Sequence, residues 1–581
     1  MNEMNEMNEM NEKELSAEES HVLPGAKTRR TTKKAIQSDG EAEAKKTTRR
    51  TTKGPAAETE TAPKKRTTRR KTTPKVQATA IEAPPEVLSL SDDRARRAAP
   101  SAEHPLRILM VGAEALPFAA SGGLGDVLGS LPAALKARGG EKIDVRVVMP
   151  LYGQLKQEWR DKMSFVGAIT VRLAWRQQYC GIFTLENDGV TWYFIDNEFY
   201  FKRGNLYGCF DDGERFAFFS TAVLDLMNRV DFFPDILHAH DWQSALSIIY
   251  LKRRYLSDAR YADIRTVYTI HNIEYQGRYG ISALGDVFGL GDWDRATVEY
   301  DGDINLTKGA IVCCDRLTTV SRRYAEELRD PYFAHGLEHI TRRYADKSTG
   351  IVNGIDVSYY DPATDPELAV PFNAEDLGGK AQAKAALQRE LGLEIDPDVP
   401  LIAMITRLVP HKGVDLVRHV IDEMMEREMQ FVLLGTGEKE YEDFFRGFAA
   451  RYPQRAAAII DFNKPLSKRI YAGADLFLMP SKSEPCGLAQ MIACRYGTLP
   501  IVRETGGLFD TITPANPVTA EGNGVTFMTY NAHDMKDAIE RALGYYQDKR
   551  LWTQLVKNAM QADFSWNASA AQYEELYRSL L

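Results

Sequence analysis

Two consecutive series of short apolar runs rich in β-branched residues constrain the fold of this chain more than any other feature. The first series begins at Leu106 and comprises LRILMVGAE, IDVRVVMP, TWYFIDN, DILHAHDW, RTVYTIHN and RLTTVS. The second follows the polar stretch Pro362–Asp398 and comprises PLIAMITRL, MQFVLLGTG, AAIIDFN, DLFLMPS and TLPIVRETGG. Helical stretches separate the runs, a pattern typical of mostly parallel sheets with helices on both faces. We therefore expect two doubly wound α/β domains with a ligand cleft between them.

The same two series predict where the domains begin and end. We expect the first Rossmann-like domain over residues 105–350 and the second over residues 351–560. The closing segment FSWNASAAQYEELYRSLL has helical periodicity, so we expect residues 561–581 to form a helix that packs back on the first domain. A length of 581 residues agrees with several domains, because one hydrophobic core rarely serves so long a chain.

The first 104 residues differ in composition from the rest of the chain. They contain no Phe, Trp or Tyr, and the first aromatic residue is Phe118. Between Lys27 and Lys75, 17 Lys and Arg against 5 Asp and Glu give a net charge of +12, so the remainder of the chain, whose total is −8, carries −20. Such a segment buries too little apolar surface to offset its ordering entropy, and we predict that residues 1–104 are disordered. Residues 27–75 are consistent with an arm that contacts nucleic acid, another polyanion or a protein, and with a solvated tether. A plastid transit peptide is a third option, although such peptides are poor in acidic residues and this chain starts rich in Glu.

Cysteine usage and hydropathy indicate the environment of the protein. The six cysteines are scattered and show no CxxC spacing, and so few thiols in so long a chain fit a reducing compartment. No apolar run approaches the length of a membrane span, and the start of the chain is polar. We expect a cytoplasmic protein without membrane contact.

Two glycine turns follow strand-like runs, one in each predicted domain. SGGLGD begins at Ser121, and TGGLFD begins at Thr505. Glycines at a strand-to-helix turn let backbone N–H groups approach a phosphate, and the helix N-terminus favours the anion. Either turn alone is equally consistent with a structural role, whereas the pair favours a diphosphate sugar that bridges the cleft.

Charged side chains follow two strands of the second series. Arg407 and Lys412 come just after LIAMI, where a guanidinium and an ammonium suit the growing charge of a leaving diphosphate. Glu484 comes after DLFLM, where a carboxylate would stabilise oxocarbenium character in a sugar ring. The alternatives are a solvated cation pair at a helix start and a loop salt bridge.

Histidines end two strands of the first series, in HAHDW (238–242) and at His271. A histidine is more often structural than catalytic, but two at adjacent strand ends lie where α/β sheets bind ligands. The His-Ala-His spacing has no third metal ligand near it. The segment Asp301–Asp303 (DGD) matches a metal clamp for nucleotide sugars, but its surroundings indicate a helix start. We therefore expect no metal.

Many motifs, in order, resemble the glycogen synthase and starch synthase family of glucosyltransferases over residues 106–581. They are EALPFAASGGLGDV, HAHDW, TIHNIEYQG, CDRLTTVSRRYA, GIVNGID, RLVPHKGVDL, LLGTG, MPSKSEPCGL, YGTLPIVRETGGLFDT and DFSW. The resemblance implies the GT-B fold, in which two Rossmann-like domains flank the cleft. It also implies transfer of glucose, with retention, from ADP-glucose to the non-reducing end of an α-1,4-glucan such as glycogen, without metal or cofactor. Whether UDP-glucose also serves as donor stays open.

Site residues follow from the same resemblance, motif by motif. The catalytic set would be Glu484, His271, Arg407, Lys412 and Asp241. Residues that bind the nucleotide sugar or the glucan would be Ser121, Gly122, Gly123, Asp126, Tyr207, Asn272, Asn353, Cys486, Gly487, Leu488, Thr505, Gly506 and Gly507.

Departures from the family pattern leave two alternatives. The first glycine loop of the family commonly has a lysine where this chain has Ala120, His411 replaces a common glutamine, and Lys482-Ser483 replace a common Arg-Phe. The loss of a cation at Ala120 suggests a catalytically impaired glucan-binding or regulatory homologue. A glucan phosphorylase-like enzyme shares the two-domain plan, but it would need pyridoxal phosphate and would not need nucleotide-sugar motifs.

Overall fold

The computed structural model describes residues 100–581. The predicted disorder of residues 1–104, apart from its last few positions, and the contacts proposed for residues 27–75 lie outside the described residues.

The strands between residues 106 and 350 form two sheets. In chain order they are β1 (Leu106–Val111), β2 (Ile143–Pro150), β3 (Ser164–Leu173), β4 (Arg176–Asn187), β5 (Val190–Asp196), β6 (Ile236–His240), β7 (Arg265–Ile270), β8 (Arg278–Gly280), β9 (Glu299–Tyr300), β10 (Asp303–Asn305), β11 (Arg316–Thr319) and β12 (Ser348–Gly350). Within the described residues, the larger sheet has the order β12-β11-β7-β6-β1-β2-β5-β4-β3. Its strands from β12 to β5 are parallel, while β5, β4 and β3 pair antiparallel. Strands β8, β10 and β9 form the smaller, antiparallel sheet.

Helices connect these strands and cover the larger sheet. In chain order they are α1 (Gly123–Gly139), α2 (Gln157–Arg160), α3 (Glu198–Phe201), α4 (Asp212–Arg229), α5 (Asp241–Tyr250), α6 (Ala259–Ala262), α7 (Ala283–Asp286), α8 (Arg295–Val298), α9 (Leu306–Cys313), α10 (Arg322–Glu327) and α11 (Glu338–Arg343). The central strands are continuous apolar runs because helices bury both of their faces.

The second half repeats the plan with an all-parallel sheet. Its strands are β13 (Leu401–Ile405), β14 (Gln430–Leu434), β15 (Ala456–Ile459), β16 (Leu476–Met479), β17 (Leu499–Arg503) and β18 (Val525–Phe527). Within the described residues, their order in the sheet is β15-β14-β13-β16-β17-β18. The helices are α12 (Gly378–Glu390), α13 (Val414–Met424), α14 (Lys439–Arg451), α15 (Lys464–Gly473), α16 (Ala489–Arg495), α17 (Gly506–Thr511), α18 (Ala532–Gln547), α19 (Lys549–Gln561) and α20 (Trp566–Arg578).

The last helix, α20, returns to the first half of the chain. It packs against α1, and Arg138 of α1 forms an ion pair with Glu574 at 2.9 Å. The Tyr577 hydroxyl reaches the end of β6, where it lies 2.7 Å from Nδ1 of His238. The two ends of the described chain therefore build one packed layer beside the first sheet.

Helices α10 and α17 join the two halves on one side of the cleft. The Glu327 carboxylate accepts hydrogen bonds from Thr505 Oγ1 and from Gly506 N, each 3.1 Å from Oε1. The Asp510 carboxylate accepts from Arg323 N at 3.0 Å, and Ser321 Oγ donates to the Pro485 carbonyl at 2.6 Å. These contacts hold the two halves together on this side of the cleft.

The expected helix start at Asp301–Asp303 is wrong. The segment forms the hairpin of β9 and β10, and α9 begins only at Leu306. Asp301 and Gly302 have φ values of 56° and 83°, a left-handed pair that closes a tight hairpin turn and that a helix excludes. The Asp303 carboxylate lies 3.5 Å from Arg278 of the neighbouring strand β8.

Candidate active site

Asp241 stands at the junction of β6 and α5, with its backbone in the left-handed region at φ 56°. That conformation is unusual for a residue other than glycine and clusters at functional sites. It directs Oδ1 of Asp241 to the backbone N–H of His271, 2.8 Å away. Burial raises the pKa of Asp241 to about 7, although hydrogen bonds from the backbone N–H groups of His271 and Asn272 act in the opposite sense. The carboxylate thus ties the ends of β6 and β7 together.

Three histidines form a column at the ends of the same two strands. His238 and His240 stack with ring centroids 4.1 Å apart, and Nδ1 of His240 lies 3.0 Å from Nε2 of His271. His238 is buried and bonded on both sides, to Tyr577 and at 2.6 Å to Thr269 Oγ1, so its role is structural. Burial lowers the pKa of His271 to about 3, which makes its imidazole neutral at physiological pH.

Glu114 organises the first glycine turn, a role that the sequence interpretation missed. Its buried carboxylate accepts hydrogen bonds from the backbone N–H of Ser121 and, at 2.9 Å, from the Ser121 hydroxyl. Burial raises the pKa of Glu114, and the backbone N–H groups of Ser121 and Gly122 counteract that rise. Two amides expected to approach a phosphate are therefore engaged by protein. Gly123, where α1 begins, faces open space.

A cavity of about 550 Å³ lies beside this turn in the first half. Its wall combines aromatic, amide and small side chains, contributed by Phe118, Ala119, Ala120, Ser121, Gln154, Asn205, Leu206 and Tyr207. Ala120 leaves the wall without a cation at the position where the family commonly has lysine. Burial raises the pKa of Asp126, which lies in the first turn of α1. The positive charge of Lys464 in the second half counteracts part of that rise.

A second cavity, of about 200 Å³, lies at the carboxyl ends of β13 and β16. It brings together Arg407, Lys412 and Glu484 with Ser481, Gly487, Leu488 and the strand residues beneath them. Lys412 Nζ donates to both carboxylate oxygens of Glu484, at 3.0 and 2.7 Å, and Ser481 Oγ donates to Oε2 at 2.9 Å. Glu484 is buried, at 7% exposed, whereas the Lys412 side chain is 19% exposed.

Close backbone packing holds these loops in register. Gly413 adopts φ 75° directly after Lys412, and a Cβ there would lie 2.1 Å from the Pro480 carbonyl oxygen. A glycine is therefore required for the loop after β13 to reach the loop after β16.

The second glycine turn lies behind the Glu484 loop. Gly506 N donates to Glu327, and Gly507 N donates to the Glu484 carbonyl at 3.1 Å. Added Cβ atoms at these two glycines would meet the carbonyl oxygens of Glu484 and Cys486 at 2.0 and 2.1 Å. The structure thus places Thr505, Gly506 and Gly507 as supports of the loop, with these amides engaged by protein.

Asn353 and Cys486 are buried neighbours where the two halves meet. Burial raises the pKa of the Cys486 thiol to about 12, and a hydrogen bond from the Asn353 backbone counteracts part of that rise. Oδ1 of Asn353 is buried and finds no hydrogen-bond partner among residues 100–581. The pKa of His411 is lowered by burial and by Lys412 and Arg407, whereas Glu274 raises it. Glu274 belongs to the first half and lies two residues after Asn272, whereas His411 belongs to the second half. The effect of Glu274 on the pKa of His411 therefore indicates that the site residues of the two halves face each other.

The described residues contain no group of three or more His, Cys, Asp or Glu side chains arranged to hold a metal ion. None of the helices in residues 100–581 is long and apolar enough to cross a membrane. Two Rossmann-like halves, with a Lys412–Glu484 ion pair in one and the Asp241–His271 contact in the other, have the arrangement of a glycosyltransferase of the GT-B class.

Comparisons with known proteins agree with this class. A family model described as the starch synthase catalytic domain matches residues 107–343, and one described as glycosyl transferases group 1 matches residues 391–561. The glycogen synthase of Bacillus cereus strain B4264 is 48% identical over 478 residues, which cover 82% of this chain and 100% of the relative. That of Geobacillus thermodenitrificans is 48% identical over 479 residues, covering 82% and 98%.

Solved structures give the same result. The catalytic domain of starch synthase IV from Arabidopsis thaliana, bound to ADP and acarbose, is similar with a TM-score of 0.75 and 37% identity, covering 82% of this chain and 99% of that one. Sucrose-phosphate synthase from Thermosynechococcus elongatus, with a TM-score of 0.52, 18% identity and coverage of 81% and 98%, shares the fold. The chain therefore belongs to the glycogen synthase and starch synthase family of hexosyltransferases, which confirms the predicted fold class and family.

Proposed function

We propose that this chain transfers glucose from ADP-glucose to the non-reducing end of an α-1,4-glucan, with retention at the anomeric carbon. The observation that carries the proposal is the cavity in which Arg407, Lys412 and Glu484 converge. The names of the bacterial relatives, and the ADP and acarbose bound to the starch synthase from Arabidopsis thaliana, support a nucleotide sugar and a glucan as substrates. In this proposal residues 105–350 carry the glucan side, residues 351–560 the donor side, and residues 561–581 complete the first domain.

Arg407 and Lys412 would bind the diphosphate of the donor. As the bond from the anomeric carbon to phosphate breaks, negative charge grows on the leaving oxygen, and two cations beside it stabilise that charge more in the transition state than in the ground state. The Lys412 ammonium donates to both carboxylate oxygens of Glu484, which orients it before the donor arrives. Its carboxylate would also lie near the positive charge that develops on the sugar ring.

The neutral His271 and the Asp241 carboxylate would meet the transferred glucose from the other side of the cleft. Asn272 is fixed beside them, because its backbone N–H bonds to Asp241. Cys486, Gly487 and Leu488 would present backbone groups from the donor side. Sugar hydroxyls bind best to such positioned polar groups in a site otherwise lined by apolar side chains.

Retention follows if the acceptor attacks from the face that the diphosphate leaves. The acceptor oxygen forms its bond to the anomeric carbon while the carbon–phosphate oxygen bond breaks, and the departing phosphate oxygen takes the proton of the acceptor hydroxyl. No side chain then needs to act as nucleophile or base. The catalytic contribution of the protein is electrostatic and positional.

The larger cavity beside Ser121 would receive the glucan. Tyr207 offers an apolar face for a sugar ring, while Gln154 and Asn205 offer hydrogen-bond partners for hydroxyls. The second candidate, a homologue that binds glucan without extending it, rests on Ala120, which lines this cavity without a cation.

The test is incorporation of labelled glucose into glycogen, with ADP-glucose and UDP-glucose supplied separately. The full chain, a shortened chain that begins at Ser101 and the Glu484→Ala variant would be compared. Transfer by both unsubstituted chains, lost on Glu484→Ala, supports the proposal and leaves residues 1–100 outside catalysis. No transfer from either donor, with glycogen binding retained, would favour the glucan-binding homologue.

A further inference from the structure

His240 is buried behind the partly buried His271, and neither histidine is among the lining residues of the two cavities described above. Its imidazole is fully buried at the end of β6, with Nδ1 lying 3.0 Å from Nε2 of His271. Any effect of His240 on a bound sugar must therefore pass through the ring of His271.

The position of the proton in this contact follows from the surroundings of His240. Both rings are neutral, because burial lowers the pKa of His240 well below its usual value and that of His271 to about 3. A neutral imidazole carries one N–H donor and one bare acceptor nitrogen. Nε2 of His240 is buried and meets no hydrogen-bond partner in residues 100–581. Buried N–H groups without an acceptor are rarer in proteins than buried acceptors without a donor, so the His240 proton lies on Nδ1.

That assignment determines the state of His271. Nδ1–H of His240 donates to Nε2 of His271, which must then be the bare nitrogen, so the proton of His271 lies on Nδ1. His271 is only partly buried, and its Nδ1 forms no hydrogen bond with a described residue. Histidine free in water favours the opposite form, with the proton on Nε2.

We propose that His240 is a positioning residue that holds His271 in the Nδ1–H form, so that a hydrogen-bond donor faces an oxygen of the transferred sugar. The inference rests on the proposed function, which places glucose against His271. A donor at this position can bind an oxygen of the sugar and hold the ring in the geometry for transfer, whereas the other tautomer would present a lone pair.

The ring plane of His240 is fixed by the residues behind it. His238 stacks on it at 4.1 Å with an angle of 34° between the rings. His238 is itself held by the Tyr577 hydroxyl at 2.7 Å and by Thr269 at 2.6 Å. This rigid column keeps Nδ1 of His240 aimed at His271, which a mobile side chain would not do.

Two amide substitutions distinguish the effect of the hydrogen-bond donor at residue 240 from the effect of side-chain size. His240→Asn places an amide nitrogen near the position of Nδ1, whereas His240→Gln, the matched control, carries the same amide one carbon further out. We expect His240→Asn to keep most of the kcat for glucose transfer. We expect His240→Gln to lose about 100-fold in kcat, the scale of a misplaced reacting group, with little change in the KM for ADP-glucose.

Nitrogen NMR spectra of the full chain labelled with ¹⁵N-histidine measure the tautomer of the histidine rings directly. The His271→Asn variant identifies which signal belongs to His271. We expect His271 as the Nδ1–H form in the unsubstituted protein and in His240→Asn, and as a mixture or the Nε2–H form in His240→Gln. An Nε2–H signal in the unsubstituted protein overturns the proposal even if neither variant folds. Equal kcat values for folded His240→Gln and the unsubstituted enzyme would also overturn it. The spectra need no substrate. A protein without transferase activity would therefore refute the proposed function, while the spectra would still test the role of His240.

Discussion

Removal of the Lys412 ammonium tests the donor side of the site most directly. In the Lys412→Met variant the Glu484 carboxylate, 7% exposed, keeps the Ser481 hydroxyl at 2.9 Å but loses both contacts to the ammonium. A buried charge left without its partner costs about 3 kcal/mol of folding stability.

The loss of activity should exceed what the loss of stability explains. An ammonium that faces a leaving diphosphate contributes to the transition state, and loss of one such group lowers kcat by about 10² to 10³-fold. Initial rates of labelled glucose transfer to glycogen measure this effect. Urea unfolding of the same samples measures the free energy of unfolding separately.

Two further variants make the result decisive. Lys482→Met is the matched control, because Lys482 lies two residues before Glu484 yet is exposed, with its Nζ 5.4 Å from the Tyr332 ring centre, and we expect nearly unchanged kcat. Lys412→Met combined with Glu484→Gln should regain most of the lost stability, because no unpaired charge remains. A folded Lys412→Met enzyme that transfers glucose at the unsubstituted rate would refute the assignment.

Three other substitutions test other parts of the site. The pKa of Asp241 is raised from 3.8 to about 7, so the folded state binds this proton more tightly than the unfolded chain does. The contribution of Asp241 to the free energy of unfolding therefore falls as pH rises from about 4 to about 7. Asp241→Asn should remove this pH dependence, which urea unfolding at a series of pH values measures. Ala120→Lys should leave kcat within about threefold if the active-enzyme proposal is right, whereas a gain of 10²-fold or more would mark an impaired enzyme. Glu327→Gln should keep the fold but weaken the junction of α10 and α17 by about 1 kcal/mol; an unchanged thermal midpoint would contradict this.

Strand and loop positions were predictable because local pattern determines them. The apolar runs form strands of both sheets, and the glycine turns at Ser121 and Thr505 open α1 and α17. His240 and His271 meet because β6 and β7 are neighbours in the sheet, as the strand order of doubly wound folds leads one to expect. The hairpin at Asp301-Gly302 was missed although Asp-Gly between strands is a strong hairpin signal.

Contacts between distant segments were not predictable from one sequence. Glu327 bonds to Thr505 across 178 positions of the chain, and nothing local to either residue indicates the other. Glu114 lies in a motif that was recognised, but its engagement of the Ser121 amide depends on a burial that only the folded structure defines. For the same reason the glycine turns were expected to face a ligand, whereas several of their amides bind protein carboxylates and carbonyls.

The Tyr577 contact with His238 has a consequence for synthesis of the protein. Translation proceeds from the N-terminus, so the first sheet emerges from the ribosome long before the helix that finishes its histidine column. Until Tyr577 has been translated, a growing chain therefore lacks the contact that holds the His238 ring behind His240.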